Sequence, residues 1–93
     1  MVNKFLVHAS EDFVGVATDD IRKDEAIEGT YLDNNKKNTL KAIEDIPLGH
    51  KIALKDIKEG EKIMEYKETI GVATKDIKKG GHVHTHNIKT LRW

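Results

Sequence analysis

The sequence contains no cysteine, a single proline and few aromatic residues, and it carries no excess of either charge. The absence of cysteine excludes disulfides, thiolate nucleophiles and cysteine-based zinc or iron–sulfur sites. Any metal would therefore be held by histidine and carboxylate side chains. Because 16 Lys and Arg side chains match 16 Asp and Glu side chains, net charge gives no reason to expect a nucleic acid or an anionic membrane as the partner.

Long apolar runs are also missing. The segment MVNKFLVHAS lacks the apolar stretch of a signal peptide, and nothing approaches the roughly 18 apolar residues of a membrane span. We therefore expect a cytoplasmic protein. With 93 residues, the chain is expected to form a single domain over residues 1–93, and its core is expected to be thin because so small a chain buries only about 60–65% of its surface. The high charged fraction, 34%, leaves much of that surface available to a partner.

One short pattern, A-x-x-D-I-x-x-G-x-x-[IV], occurs four times. The four copies are ATDDIRKDEAI from Ala17, AIEDIPLGHKI from Ala42, ALKDIKEGEKI from Ala53 and ATKDIKKGGHV from Ala73. They begin 25, 11 and 20 residues apart, which is too irregular for a solenoid. The pattern therefore predicts one turn motif that is reused inside a compact domain.

Each position of the repeat has a physical interpretation. The Asp is expected to accept hydrogen bonds from backbone N–H groups two residues further on in its own turn, and the Ile after it is expected to point into the core. The Gly, at positions 49, 60 and 80, supplies a positive φ that closes the turn. Asp24 replaces this Gly in the first copy, which is acceptable because Asp enters the left-handed region more readily than most residues.

Short runs rich in Val, Ile and Thr lie between the turns and predict strands. They are KFLVHA, DFVGVAT, HKIALK, EKIMEY, TIGVATK and HVHTHNI. The polar segment around Asn34 and Lys37 predicts the tip of a hairpin whose strands are EGTYL and NTLKAI. No window favours a long amphipathic helix, so the predicted fold class is mostly β.

Three of the five histidines, His82, His84 and His86, alternate along HVHTHN. On a strand they would share one face, with Cβ atoms two residues apart separated by roughly 6.5–7 Å. Two imidazoles at that distance can converge on one metal ion, with a third ligand from His8, His50, a carboxylate or a partner chain. The alternative is that an exposed strand displays its histidines to water. By default His8, in an apolar strand, is a half-buried histidine with a backbone partner.

Other polar residues give weaker indications of function. Lys51 and Lys55 could each reach a carboxylate or sulfonate of a substrate, although most lysines with this spacing are only solvated. The sequence has no Ser-His-Asp order, no phosphate-binding glycine loop and no pair of carboxylates singled out by context. If the protein takes part in catalysis, we expect it to supply only part of an active site.

Residues 45–87, which contain PLGHKIAL, IGVATKDIKKG and HVHTHN, resemble the SAF-type β-clip domain of altronate and galactarate dehydratases. That family also includes the free-standing small (alpha) subunits of (2R)-sulfolactate sulfo-lyases. The segments KFLVHASEDFVGVATDDI and HNIKTLRW extend the resemblance to nearly the whole chain, and they are most similar to the free-standing subunits. Lys67 stands where the family commonly has a glycine.

The resemblance implies a compact β-clip (SAF-like) domain with short strands and long hairpins. It also implies the small subunit of a two-component lyase that dehydrates a sugar acid such as altronate or eliminates sulfite from sulfolactate. The implied partners are a large catalytic lyase subunit and a small acidic substrate, and the implied cofactor is a divalent metal, iron among the options. His50, His84 and His86 match histidines of the family's motifs. We expect His84 and His86 to bind metal, and His50 and Lys51 to bind substrate.

Two other functions remain open. The chain could be a non-catalytic β-clip module that binds a small acidic ligand or a metal, or it could be a structural assembly domain with incidental histidines. The sequence does not fix the oligomeric state, so a homo-oligomer is also open.

Overall fold

The computed structural model describes residues 1–90, and all regular secondary structure there is β. The strands are β1 (Asn3–Val7), β2 (Val14–Ala17), β3 (Ala26–Tyr31), β4 (Lys37–Lys41), β5 (Lys51–Ala53), β6 (Lys62–Glu65), β7 (Glu68–Ala73), β8 (His82–Val83) and β9 (Ile88–Thr90). Over the same residues, no helix is long and apolar enough to cross a membrane. The predicted fold class is confirmed.

The strands form two sheets. Six of them make a mixed sheet in the order β4-β3-β1-β2-β5-β8, and the other three make a sheet in the order β6-β7-β9. Only the β1–β3 pair is parallel, whereas all other neighbours are antiparallel. The predicted hairpin is present as β3 and β4, and Asn35 at its tip has a φ of 60°.

The four copies of the repeat form turns that associate in two pairs. Ile21 and Ile46 exchange backbone hydrogen bonds of 2.9 and 2.8 Å, and Ile57 and Ile77 exchange two of 2.7 Å. The first pair therefore joins copies one and two of the repeat, and the second pair joins copies three and four. All four isoleucine side chains are buried, as predicted.

The repeat's aspartates bind across each pair, so the prediction that they bind within their own turns was wrong. Asp76 Oδ1 accepts a hydrogen bond from Glu59 N–H, and Asp56 Oδ1 accepts one from Lys79 N–H, both at 2.8 Å. The first pair repeats this arrangement, with Asp20 accepting from Leu48 N–H and Asp45 from Lys23 N–H. Pairing of the turns brings these N–H groups to the facing carboxylates, and a sequence pattern read one turn at a time cannot show it.

The predicted left-handed residues are confirmed. Gly49, Gly60 and Gly80 have φ values of 85°, 86° and 87°, and Asp24 has 71°. The N–H group of each of these residues donates a hydrogen bond to the carbonyl group of the alanine that opens the facing copy of the repeat. The left-handed residue therefore closes its own turn and also joins it to the other turn of the pair.

Two apolar clusters make up the core. One is formed by side chains of the six-stranded sheet and the first turn pair, with Phe5 fully buried within it. The other lies between the sheets and combines Val14, Ala53 and Val83 of the larger sheet with Ile63 and Ala73 of the smaller one. The second cluster thus fixes the small sheet against β2, β5 and β8.

Gly60 and Gly80 allow a matched test of these turns. Their φ values are nearly equal, but a Cβ atom at Gly60 would meet nothing within 4 Å, whereas one at Gly80 would clash with the Lys41 carbonyl oxygen. Gly60→Ala should lower the free energy of unfolding by about 1–2 kcal/mol, the cost of a left-handed alanine. Gly80→Ala should cost about 1–3 kcal/mol more, because the Lys41 backbone must move.

Urea unfolding followed by far-ultraviolet circular dichroism measures both variants under identical conditions. Equal losses of stability would contradict the close packing of the fourth turn against residues 41–43.

Candidate functional site

Four histidines come together at one edge of the six-stranded sheet. The turn that ends at Gly49 places His50 directly before β5. Strand β8 pairs with β5, with Ile52 opposite His82, and the chain after β8 carries His84 and His86. We call His50, His82, His84 and His86 the histidine cluster.

The rings of the cluster lie against one another. The centroid of the His50 ring lies 3.8 Å from that of His84 and 5.0 Å from that of His82, at interplanar angles of 16° and 21°. The His86 ring is tilted by 36° relative to His82, with centroids 4.9 Å apart. His50 and His82 are half-buried, whereas His84 and His86 are exposed. The cluster therefore runs from the sheet edge out to the solvent.

A hydrogen bond of 2.8 Å joins His50 Nδ1 to His82 Nε2. One of these nitrogens donates its proton and the other accepts it. Neither nitrogen is then free for another ligand. The backbone N–H group of His82 donates to Glu44 Oε1 at 3.0 Å, which fixes the start of β8.

The prediction that HVHTHNI forms one strand was wrong. Strand β8 ends at Val83, and residues 84–87 form a turn that leads into β9. The side chain of Asn87 forms hydrogen bonds here in place of a neighbouring strand. Its Oδ1 accepts a hydrogen bond from His84 N–H, and its Nδ2 donates one to the His82 carbonyl oxygen. Asn is a common turn residue, so Asn87 was the feature of the sequence that could have indicated this turn. His84 and His86 are thus exposed turn residues rather than neighbours on a strand face.

The metal hypothesis remains a prediction. Within residues 1–90, no three His, Asp or Glu side chains are arranged so that they could hold a metal ion, and the His50–His82 hydrogen bond already occupies two ring nitrogens. The described residues therefore do not form a complete metal site. If His84 and His86 bind a metal, they need further ligands, such as groups of a partner chain or water.

The structure separates His50 from Lys51, the two residues expected to bind substrate. Consecutive residues of a strand point to opposite faces of the sheet. His50 stacks on its own cluster, whereas the Lys51 ammonium pairs with Glu65 Oε1 of β6 at 3.4 Å. The second candidate lysine, Lys55, lies with its Nζ atom 4.0 Å from the centroid of the Phe13 ring. Of the two lysines, Lys51 is therefore the one held beside a carboxylate.

Sequence reasoning missed Glu44, Glu65 and Tyr66. The two glutamates are distant in the chain from His82 and Lys51, the residues they bind, and no local pattern marks them. His8 is half-buried, as expected, and its ring stacks on Tyr66 with centroids 5.1 Å apart. Tyr66 and Lys67 form the β6–β7 turn with φ values of 53° and 63°, consistent with the glycine that the family commonly has at Lys67.

The pKa of His82 is lowered from the ordinary histidine value. Burial of the ring is the main cause, followed by repulsion from His86 and His50, with His84 adding a smaller share; the Glu44 carboxylate acts in the opposite direction. The neutral form of His82 is therefore favoured at neutral pH. A neutral imidazole can donate a proton at one nitrogen and accept one at the other.

This shift predicts loss of stability in acid. Folding favours neutral His82, so its contribution to the free energy of unfolding is complete above the unfolded-state pKa of about 6.5. It is lost as the pH falls through the lower pKa of the folded state. In the presence of a chelator, the NMR titration midpoint of the His82 ring should lie below the midpoint of the same ring in urea. A folded-state midpoint above the urea value would contradict this environment.

Comparison with known proteins supplies the family. Residues 3–91 match the altronate/galactarate dehydratase SAF domain. The chain is 36% identical over 90 residues to the (2R)-sulfolactate sulfo-lyase subunit alpha of Chromohalobacter salexigens, covering 96% of both proteins. It is 52% identical over 60 residues to the subunit of the same name from Paracoccus pantotrophus, covering 64% of this chain and 90% of that protein.

A larger enzyme is similar over the same region. The chain is 37% identical over 89 residues to the altronate dehydratase of Bacillus subtilis, a match that covers 96% of this chain but 17% of the dehydratase. The match to the SAF domain and the match to the sulfo-lyase subunit each cover nearly all of the chain. The chain therefore belongs to the SAF domain family of the altronate/galactarate dehydratases.

Proposed function

We propose that this chain is the small subunit of a two-component lyase that eliminates sulfite from (2R)-sulfolactate. The observation that carries the proposal is the extent of the match. The chain and a sulfo-lyase alpha subunit cover 96% of each other, whereas the chain spans about a sixth of the altronate dehydratases. The relative matched in this way is named subunit alpha, which implies a partner subunit in that sulfo-lyase.

The chemistry of this reaction needs groups that the chain supplies only in part. Loss of sulfite from C3 and of a proton from C2 of sulfolactate gives the enol of pyruvate, which becomes pyruvate. A base must accept the C2 proton, and cationic groups must bind a substrate that carries both a carboxylate and a sulfonate. The histidine cluster offers imidazoles for proton transfer, and Lys51 offers an ammonium group for one of the acidic groups. The large subunit supplies the remaining groups.

The family implies a divalent metal in the assembled enzyme, and a bound metal of this kind can polarise a carboxylate or hydroxyl group of the substrate. In this proposal, His84 and His86 contribute two imidazole ligands and the large subunit contributes the rest. Their exposure on the turn after β8 leaves both rings accessible to a partner.

Dehydration of a sugar acid is the second candidate. The chain is 37% and 40% identical to the SAF regions of two altronate dehydratases, which is comparable to its identity with the full-length alpha subunit. Both reactions remove a leaving group from C3 of a 2-hydroxy acid. The large subunit would therefore decide which of the two substrates is used.

Reconstitution tests the function. The chain should be co-expressed with a large sulfo-lyase subunit and assayed for sulfite and pyruvate from (2R)-sulfolactate, with altronate as the comparison substrate. We expect the complex to release sulfite and each subunit alone to be inactive, because in this proposal the catalytic groups are divided between the two subunits. Full activity of either subunit alone would overturn the two-component proposal, and turnover of altronate alone would favour the second candidate.

The metal assignment is tested in the same complex. Replacing both His84 and His86 by Ala should remove most of the bound divalent metal, because two imidazole ligands are lost. The fold should be retained, since exposed substitutions usually change stability by less than about 0.5 kcal/mol. Metal content is measured by elemental analysis, with His8→Ala as the control histidine variant. Unchanged metal content and activity in the double variant would indicate that these histidines are solvated surface residues that do not bind metal.

A further inference from the structure

Lys51 lies on the face of β5 opposite the histidine cluster. On this face, part of the surface is covered by the small sheet and part is exposed to solvent. Cross-strand partners share a face, and the register places Leu6, Val16, Lys51 and Val83 in one row across β1, β2, β5 and β8. Val83 is buried beneath the small sheet, whereas Leu6 and Val16 are only half-buried. Lys51 therefore lies between Val83, which the small sheet covers, and the half-exposed apolar surface formed by Leu6 and Val16.

The ion pair between Lys51 and Glu65 is unevenly buried. The Glu65 side chain is 11% exposed and the Lys51 side chain is 29% exposed. Glutamate is almost never this buried without a partner, and the ammonium group provides one. A lysine ammonium has three N–H donors, so Lys51 can bind Glu65 and still donate towards the open side. The pair therefore presents a positive charge to the solvent and keeps its negative charge inside.

Backbone contacts on both sides hold Glu65 in place. The carbonyl oxygen of Met64 accepts a hydrogen bond from Phe13 N–H at 2.9 Å, and Tyr66 N–H donates to Asp12 Oδ1 at 2.8 Å. Asp12 is itself buried, and its other carboxylate oxygen accepts from Ala9 N–H. The residues before and after Glu65 are thus both tied to residues 12–13, which fixes the direction of the carboxylate.

We propose that Glu65 is a positioning residue that holds the Lys51 ammonium at the edge of the open apolar surface, where it binds an anionic group of a short-chain acid. The inference rests on the proposed function for the identity of that acid, sulfolactate, and adds a residue and a subsite to it. The ammonium contacts the sulfonate or carboxylate, and Leu6 and Val16 lie beside the short carbon chain. Glu65 acts only through Lys51 and does not touch the substrate.

The competing explanation is a purely structural ion pair between the two sheets. A structural pair would affect the stability of the chain and the amount of complex formed. It would not affect the affinity of the folded complex for substrate. KM and kcat measured on folded complexes therefore distinguish the two explanations.

The test uses the assembled complex and Glu65→Gln, which keeps the shape of the side chain and removes its charge. Glu59→Gln is the matched control, because Glu59 is exposed on the third turn. Lys51→Gln and the double variant complete a thermodynamic cycle, and the amide of Lys51→Gln can still donate to Glu65, which protects the fold. Circular dichroism and gel filtration establish that each complex is folded and assembled before kinetics are measured.

We expect Glu65→Gln to raise KM for (2R)-sulfolactate about tenfold, because a misplaced binding group loses much of its contribution, while kcat changes less than twofold. Glu59→Gln should leave both constants unchanged. In the Lys51→Gln background, Glu65→Gln should have no further effect on KM. An unchanged KM for Glu65→Gln, or the same rise with and without Lys51, would overturn the inference.

Calorimetry separates this inference from the proposed function. If the wild-type complex binds (2R)-sulfolactate without turning it over, the proposed reaction is wrong. The dissociation constants of the four variants then provide the same comparison. A wild-type complex that neither binds nor converts sulfolactate would overturn both proposals.

Discussion

The pairing of turns is the constraint on which the rest of the structure depends. Each pair is joined by eight hydrogen bonds of four kinds, which are two between the isoleucines, two to the carbonyl groups of the opening alanines, two from the N–H groups of the same alanines and two to the aspartates. A small chain with a thin core gains little from apolar burial alone. The backbone N–H and C=O groups of the four turns form hydrogen bonds with the facing turns. These bonds order the irregular segments in the way that the hydrogen bonds of a sheet order its strands.

This pairing also sets the position of the histidine cluster. The second turn ends at Gly49, and His50 follows it directly. The fourth turn ends at Gly80, and His82 follows it after Gly81. The two turns belong to different pairs, yet they are joined where Ile43 N–H donates to the Gly80 carbonyl oxygen and His82 N–H donates to Glu44. The stack of His50 on His84 therefore depends on hydrogen bonds made by Ile43 and Glu44, which lie outside the histidine cluster.

Much of the fold could be predicted from the sequence, because local chemistry determines it. The left-handed glycines, the buried isoleucines and the hairpin tip at Asn35 each follow from what a single turn requires. The facing partners of the repeat's aspartates could not be predicted, since they depend on which turns pair. The cluster was only half predicted: the histidines were recognised, but the strand containing them ends at Val83 because Asn87 binds the backbone of His82 and His84.

The geometry of β5 bears on why the proposed site would be incomplete within one chain. Its alternation sends His50 towards the histidine cluster and Lys51 towards Glu65, so the groups proposed for proton transfer and for acid binding lie on opposite faces of one sheet. Both are within one residue of the point where β5 begins, however, and β8 beyond them is only two residues long. A partner that packs around this end of the sheet could reach both faces, whereas a pocket confined to either face would contain only half of the chemistry. In the proposed two-component enzyme, the need for a large subunit would therefore follow from strand geometry.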